Sequence, residues 1–96
     1  MTEYEVLLLL DPELSDEKQA EIVERAKTLV EKGGGTLERH DPWGRRKLAY
    51  EIKKKAEGIY AVVDMQAEPD LAKELDRQLN LNEAVLRTKL IRPEAH

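Results

Sequence analysis

The chain is 96 residues long, carries a net charge of −4 and has no cysteine. That length holds one domain, 1–96, with a modest core; the lack of cysteine excludes disulfides, thiolate metal sites and cysteine nucleophiles. Hydrophobic residues make up 41% of the chain, the composition of a globular protein. No apolar run has the length of a membrane span, and Met1-Thr2-Glu3-Tyr4 lacks the basic leader of a signal peptide, so a cytoplasmic protein is expected.

Residues 4–10, Tyr-Glu-Val-Leu-Leu-Leu-Leu, form a short apolar run stopped by Asp11-Pro12. Despite leucine's helical preference, this length and this stop predict a strand. Alternation puts Tyr4, Val6, Leu8 and Leu10 on one face and Glu5, Leu7 and Leu9 on the other, so both faces are largely apolar. A helix follows, with Ser15 as N-cap, Asp16 and Glu17 at its positive end, and a stripe of Ile22, Val23, Ala26, Leu29 and Val30. Gly33-Gly34-Gly35 ends it. A phosphate loop is not indicated, because the glycines follow a helix and no Gly-Lys-Ser/Thr is present.

Residues 36–52 predict a long strand broken at Asp41-Pro42-Trp43-Gly44, where a proline implies an edge or a bulge. Beyond the break, Leu48, Tyr50 and Ile52 alternate with Lys47, Ala49 and Glu51. Residues 53–58 read as a hairpin connection and 59–66 as a third strand, with Ala61, Val63 and Met65 on one face and Tyr60, Val62, Asp64 and Gln66 on the other. Pro69-Asp70 opens a second helix, striped by Leu71, Leu75 and Leu79 and closed by Asn80 to Asn82. A fourth strand spans 85–92, and 93–96 is a short tail. The order β-α-β-β-α-β predicts an α+β, ferredoxin-like domain: a four-stranded antiparallel sheet with two helices on one face and the other face open.

Catalysis and metal binding find little here. His40 lies in a strand and His96 is the last residue, and neither joins a triad or metal-ligand pattern; no cofactor is implied. The informative feature is the charge distribution. Residues 39–55 hold seven basic residues against two acidic ones, inside an otherwise acidic chain. Such a focal field attracts polyanions whatever the total charge. Arg45, Arg46 and Lys47, the hairpin lysines Lys53, Lys54 and Lys55, and a weaker set of Arg87, Lys89 and Arg92 in the last strand are the candidates for contacting RNA phosphates. Lys53 to Lys55 also fit a lysine-rich edge that discourages sheet aggregation. Leu7 and Leu9 stand where an RNA-stacking sheet of this topology has aromatics. The open face, with Leu7, Leu9, Tyr60, Val62 and Ile91 and with Trp43 nearby, is therefore expected to be accessible and to meet a protein partner, RNA being held by basic edges and loops.

Asp41-Pro42-Trp43-Gly44-Arg45-Arg46-Lys47-Leu48-Ala49-Tyr50 resembles the Trp-Gly-Arg-Arg-x-Leu-Ala-Tyr stretch of the bacterial small-subunit ribosomal protein S-six family. Tyr4-Glu5 near the start is similar to that family's opening, and Asn82-Glu83-Ala84-Val85-Leu86-Arg87 to its approach to the last strand. The resemblance covers nearly the whole chain. It implies a ferredoxin-like fold, a place on the platform of the small subunit, binding to small-subunit ribosomal RNA jointly with ribosomal protein S-eighteen, and no catalysis. Carried over by residue, it implies RNA- or partner-facing roles for Arg45, Arg46 and Arg87. Another reading of the residues is a ferredoxin-like protein-interaction or regulatory module with no RNA role.

Overall fold

The computed structural model describes residues 1–93; the rest of the tail, including His96, lies outside the described residues. Six elements follow in the order β1 (Thr2–Leu10), α1 (Asp16–Lys32), β2 (Thr36–Ile52), β3 (Lys55–Ala67), α2 (Pro69–Leu81) and β4 (Val85–Ile91). The four strands make one sheet in the order β2-β3-β1-β4, with every neighbouring pair antiparallel.

The leucine-rich run is a strand because both of its edges are paired and both of its faces are used. Tyr4, Val6, Leu8 and Leu10 point to the helix side, where they pack with Ala61, Val63 and Met65 of β3. Ile22, Ala26 and Val30 of α1 and Ala72, Leu75 and Leu79 of α2 close this core from above. Burying a Leu, Val or Met side chain is worth about 1.5–3 kcal/mol each, which outweighs helix preferences of a few tenths.

Helix α1 starts where expected: the Ser15 hydroxyl oxygen accepts from the Lys18 N–H at 3.2 Å. At its other end the Gly33 N–H bonds the Leu29 carbonyl at 3.1 Å, and the left-handed residue of the glycine run is Gly34, with φ of 91°. Pro69 begins α2, where a missing N–H costs nothing.

Three boundaries differ from the sequence reading. Asp41-Pro42-Trp43-Gly44 does not interrupt β2: pairing continues past Pro42, opposite Ala61, with a register shift before Gly44. As expected for a proline in a strand, β2 is an edge strand. The hairpin connection is only Lys53 and Lys54, both left-handed, with φ of 51° and 66°. Turns of that kind favour Asn-Gly, so two lysines carry no sequence signal for one. Consequently β3 begins at Lys55, well before the apolar stretch that announces it. Finally, β4 ends at Ile91, one residue before Arg92.

Candidate nucleic-acid interface

Strand register sorts the open face into rows. Gly44, Tyr60, Leu9 and Arg87 form one row across β2, β3, β1 and β4. Asp41, Val62, Leu7 and Lys89 form the next, and Arg39, Asp64, Glu5 and Ile91 the third. The face is apolar in its middle, cationic along β4, and carries an ion pair at one end, Arg39 to Asp64 at 2.9 Å.

Two of the expected accessible residues are not accessible. Leu9 is only 4% exposed and Val62 only 3%. Val62 is a short side chain on β3, an interior strand of the sheet. Leu9 is covered for a different reason. The β2–β3 hairpin outlasts the rest of the sheet, since β1 pairs with β3 only from Ile59 onwards. A two-stranded ribbon coils strongly, and this one curls across the open face to the far edge. There the Tyr50 hydroxyl accepts from Arg87 Nη1 at 2.7 Å, and Lys53 Nζ donates to the Val85 carbonyl at 3.0 Å. Gly58 lets the ribbon bend close: a Cβ there would clash with Leu9 Cδ1. Under the arm remains a cleft of about 270 Å³ lined by Leu7, Leu9, Leu48, Tyr50, Ile52 and Tyr60, with Arg87 and Lys89 among its walls. Leu7, Tyr60 and Ile91 are half-buried, and Trp43 is 49% exposed, its indole N–H donating to Asp41 Oδ2 at 3.3 Å.

The basic residues divide into two groups. Arg45 has partners within the chain: Nη2 donates to the Pro12 carbonyl at 2.6 Å and Nη1 meets Glu57 at 3.4 Å. Lys55 is likewise tied to Glu13 at 2.6 Å and to Asp11 at 3.8 Å. The bond to Glu13 raises the Lys55 ammonium above its ordinary 10.5. These contacts fasten the hairpin to the loop after β1. By contrast, Arg46, Lys47, Lys54 and Lys89 have no ion-pair or side-chain hydrogen-bond partner among the described residues. The sequence pattern could not separate the groups, because Pro12, Glu13 and Glu57 lie far along the chain from the cations they engage. It also left out Leu48, Tyr50 and Ile52 as site residues, although they sit in and beside the Trp-Gly-Arg-Arg stretch. A larger groove, about 850 Å³ between α1 and α2, contains none of the predicted site residues.

A four-stranded antiparallel sheet with two helices on one face places the chain in the ferredoxin-like α+β class, a fold that serves many functions. The comparisons with known proteins narrow the class. A family model described as Ribosomal protein S6 matches residues 3–92. The Small ribosomal subunit protein bS6 of Streptomyces coelicolor is 57% identical over 96 residues, covering 100% of both chains. Its namesake from Thermobifida fusca is 53% identical over the same full length. The crystal structure of 30S ribosomal protein S6 from Thermotoga maritima superposes with a TM-score of 0.85 at 29% identity, over 95% of this chain and 86% of that one. The chain belongs to the ribosomal protein S6 family. It is a structural protein of the small ribosomal subunit, found in the cytoplasmic ribosome, and not an enzyme.

Proposed function

We propose that this chain binds small-subunit ribosomal RNA jointly with ribosomal protein S-eighteen and thereby supports assembly of the platform. The observation that carries this reading is the division of the cations. Arg46, Lys47, Lys54 and Lys89 are free to meet phosphates, while Arg45 and Lys55 serve the fold. Arg46 and Lys47 lie on an exposed edge strand and project to its two sides, so each can meet a phosphate separately, and Arg46 adds bidentate geometry. Arg87 joins them once its bond to Tyr50 is exchanged for one to RNA. With a net charge of −4 the chain alone holds RNA weakly, and a basic partner completes the surface. Leu7, Tyr60, Ile91 and Trp43 form the partner's landing area, with Leu9 and Val62 as its buried floor.

The test is RNA binding with the partner present, at several salt concentrations. Replacing Arg46 and Lys47 by Gln should lower the salt slope by about one unit per lost phosphate contact. Arg45→Gln should leave the slope nearly unchanged and act on stability. A Lys53, Lys54, Lys55 to Gln triple variant should cost less RNA affinity than the Arg46/Lys47 pair, since only Lys54 of the three lacks an internal partner. An unchanged slope in all variants would assign the basic segment to a protein contact and favour the interaction module without an RNA role.

A further inference from the structure

We propose that the cleft beneath residues 48–52 receives one unpaired nucleotide of an RNA strand, with its base against the Tyr50 ring and the apolar walls and its phosphate on Arg87 and Lys89. The proposal rests on the reading of this chain as an RNA-binding protein, and adds to it a site for a base where the free cations of β2 offer contacts to phosphate alone.

The cleft is held open by the fold itself. Its roof is the end of the β2–β3 hairpin, fastened at three points. Ile52 pairs with Lys55, Lys55 Nζ is bonded to Glu13 at 2.6 Å, and Lys53 Nζ reaches the Val85 carbonyl at 3.0 Å. The floor is Leu7 and Leu9 of β1, and about 270 Å³ lies between floor and roof. A preformed space of this kind binds without the cost of ordering a loop.

The lining pairs a stacking surface with positive charge. Leu7, Leu9, Leu48 and Ile52 are apolar, and Tyr50, 63% exposed, presents an aromatic face. Its hydroxyl accepts from Arg87 Nη1 at 2.7 Å, which fixes the ring beside the guanidinium. The other Arg87 N–H groups, and the Lys89 ammonium two residues along β4, have no partner among the described residues. The open face as a whole balances cations with carboxylates, but the cleft does not. Among the described residues no Asp or Glu lines it. Glu5 and Asp64 stand in the row beyond Lys89, and Asp41 at the opposite edge of the sheet. The occupant that fits is therefore flat or apolar in its body and anionic at the mouth. Bases in a duplex are stacked on one another and cannot enter, so the site selects single strands. Every base has a π-face, so it tolerates any sequence.

The probes are an unstructured single-stranded RNA oligonucleotide of mixed sequence and an RNA duplex of equal length, with ribosomal protein S-eighteen present, at several salt concentrations. Tyr50→Ala should weaken single-strand binding about fivefold or more, the loss of one base stack. It should leave duplex binding and the salt slope unchanged, because the ring carries no charge. Tyr50→Phe, which keeps the ring, should retain the affinity of the unmodified chain. Arg87→Gln and Lys89→Gln should each lower the slope by about one unit. A 4-thiouridine in the strand should photo-cross-link to the 48–52 segment of the unmodified chain, a readout that stands even where Tyr50→Ala does not fold. Unchanged single-strand affinity in Tyr50→Ala, or a cross-link confined to other segments, overturns the nucleotide site; a lower slope in the Arg46/Lys47 variant then leaves the RNA reading intact. If Tyr50→Ala weakens association with the protein partner and not with RNA, a protein side chain fills the cleft and the proposal falls. If no variant changes RNA binding, the Arg46/Lys47 pair included, the RNA reading falls with it.

Discussion

Leu9 and Gly58 illustrate how little room separates a useful contact from a clash. Leu9 is buried on the face that was expected to be open, and Gly58 is the residue that lets the hairpin cover it. Adding a methyl group at Gly58 would push the Leu9 side chain off its position. Gly58→Ala should therefore destabilise the chain by about 1–3 kcal/mol in urea unfolding. The same change in a Leu9→Ala background should cost less, because the clashing atoms are gone; the difference is a direct measure of coupling between neighbours. Leu7, one row away, is half-buried and faces the cleft. Leu7→Glu should weaken partner binding more than it lowers the unfolding midpoint. An outright unfolded variant would place Leu7 in the core instead.

Among the elements, the helices are the ones whose stability is written locally. The Ser15 cap satisfies one of the unpaired N–H groups of α1. Ser15→Ala should lower stability by about 1 kcal/mol in chemical denaturation, with the fold unchanged. On α2 the Arg77 guanidinium grips Glu74 through two bonds, at 2.7 and 2.8 Å. That grip, aided by Gln78, holds the Glu74 carboxyl at about 2, below its ordinary 4.5. A depressed carboxylate stabilises the fold above its unfolded value, and the contribution disappears as pH falls from 4.5 towards 2. Glu74→Gln should therefore flatten the acid limb of a stability–pH profile in that window, by a small amount because the pair is exposed to solvent screening. The hairpin contrasts with the helices. Its register, its bulges and its left-handed turn are all decided by what lies across from it.

At the scale of the whole molecule, acidic helices and an acidic β1–α1 loop balance a basic hairpin. Much of this was legible in the residues. Alternation in 4–10 and 59–66, the Ser15 cap and the proline at 69 marked four of the six elements and the core face, because periodicity and capping are local properties. The Trp-Gly-Arg-Arg stretch pointed to the ribosomal protein S6 family for the same reason. The condition of each candidate residue was another matter. Arg45 and Arg46 are adjacent and chemically alike, yet one is bonded to the Pro12 carbonyl and the other has no side-chain partner among the described residues. Leu7 and Leu9 share a face, yet only Leu9 is sealed. These distinctions depend on residues dozens of positions away, brought near by the coiling of a ribbon longer than the sheet it belongs to. Such long-range contacts leave no period or motif in the sequence, and only the tertiary structure decided them.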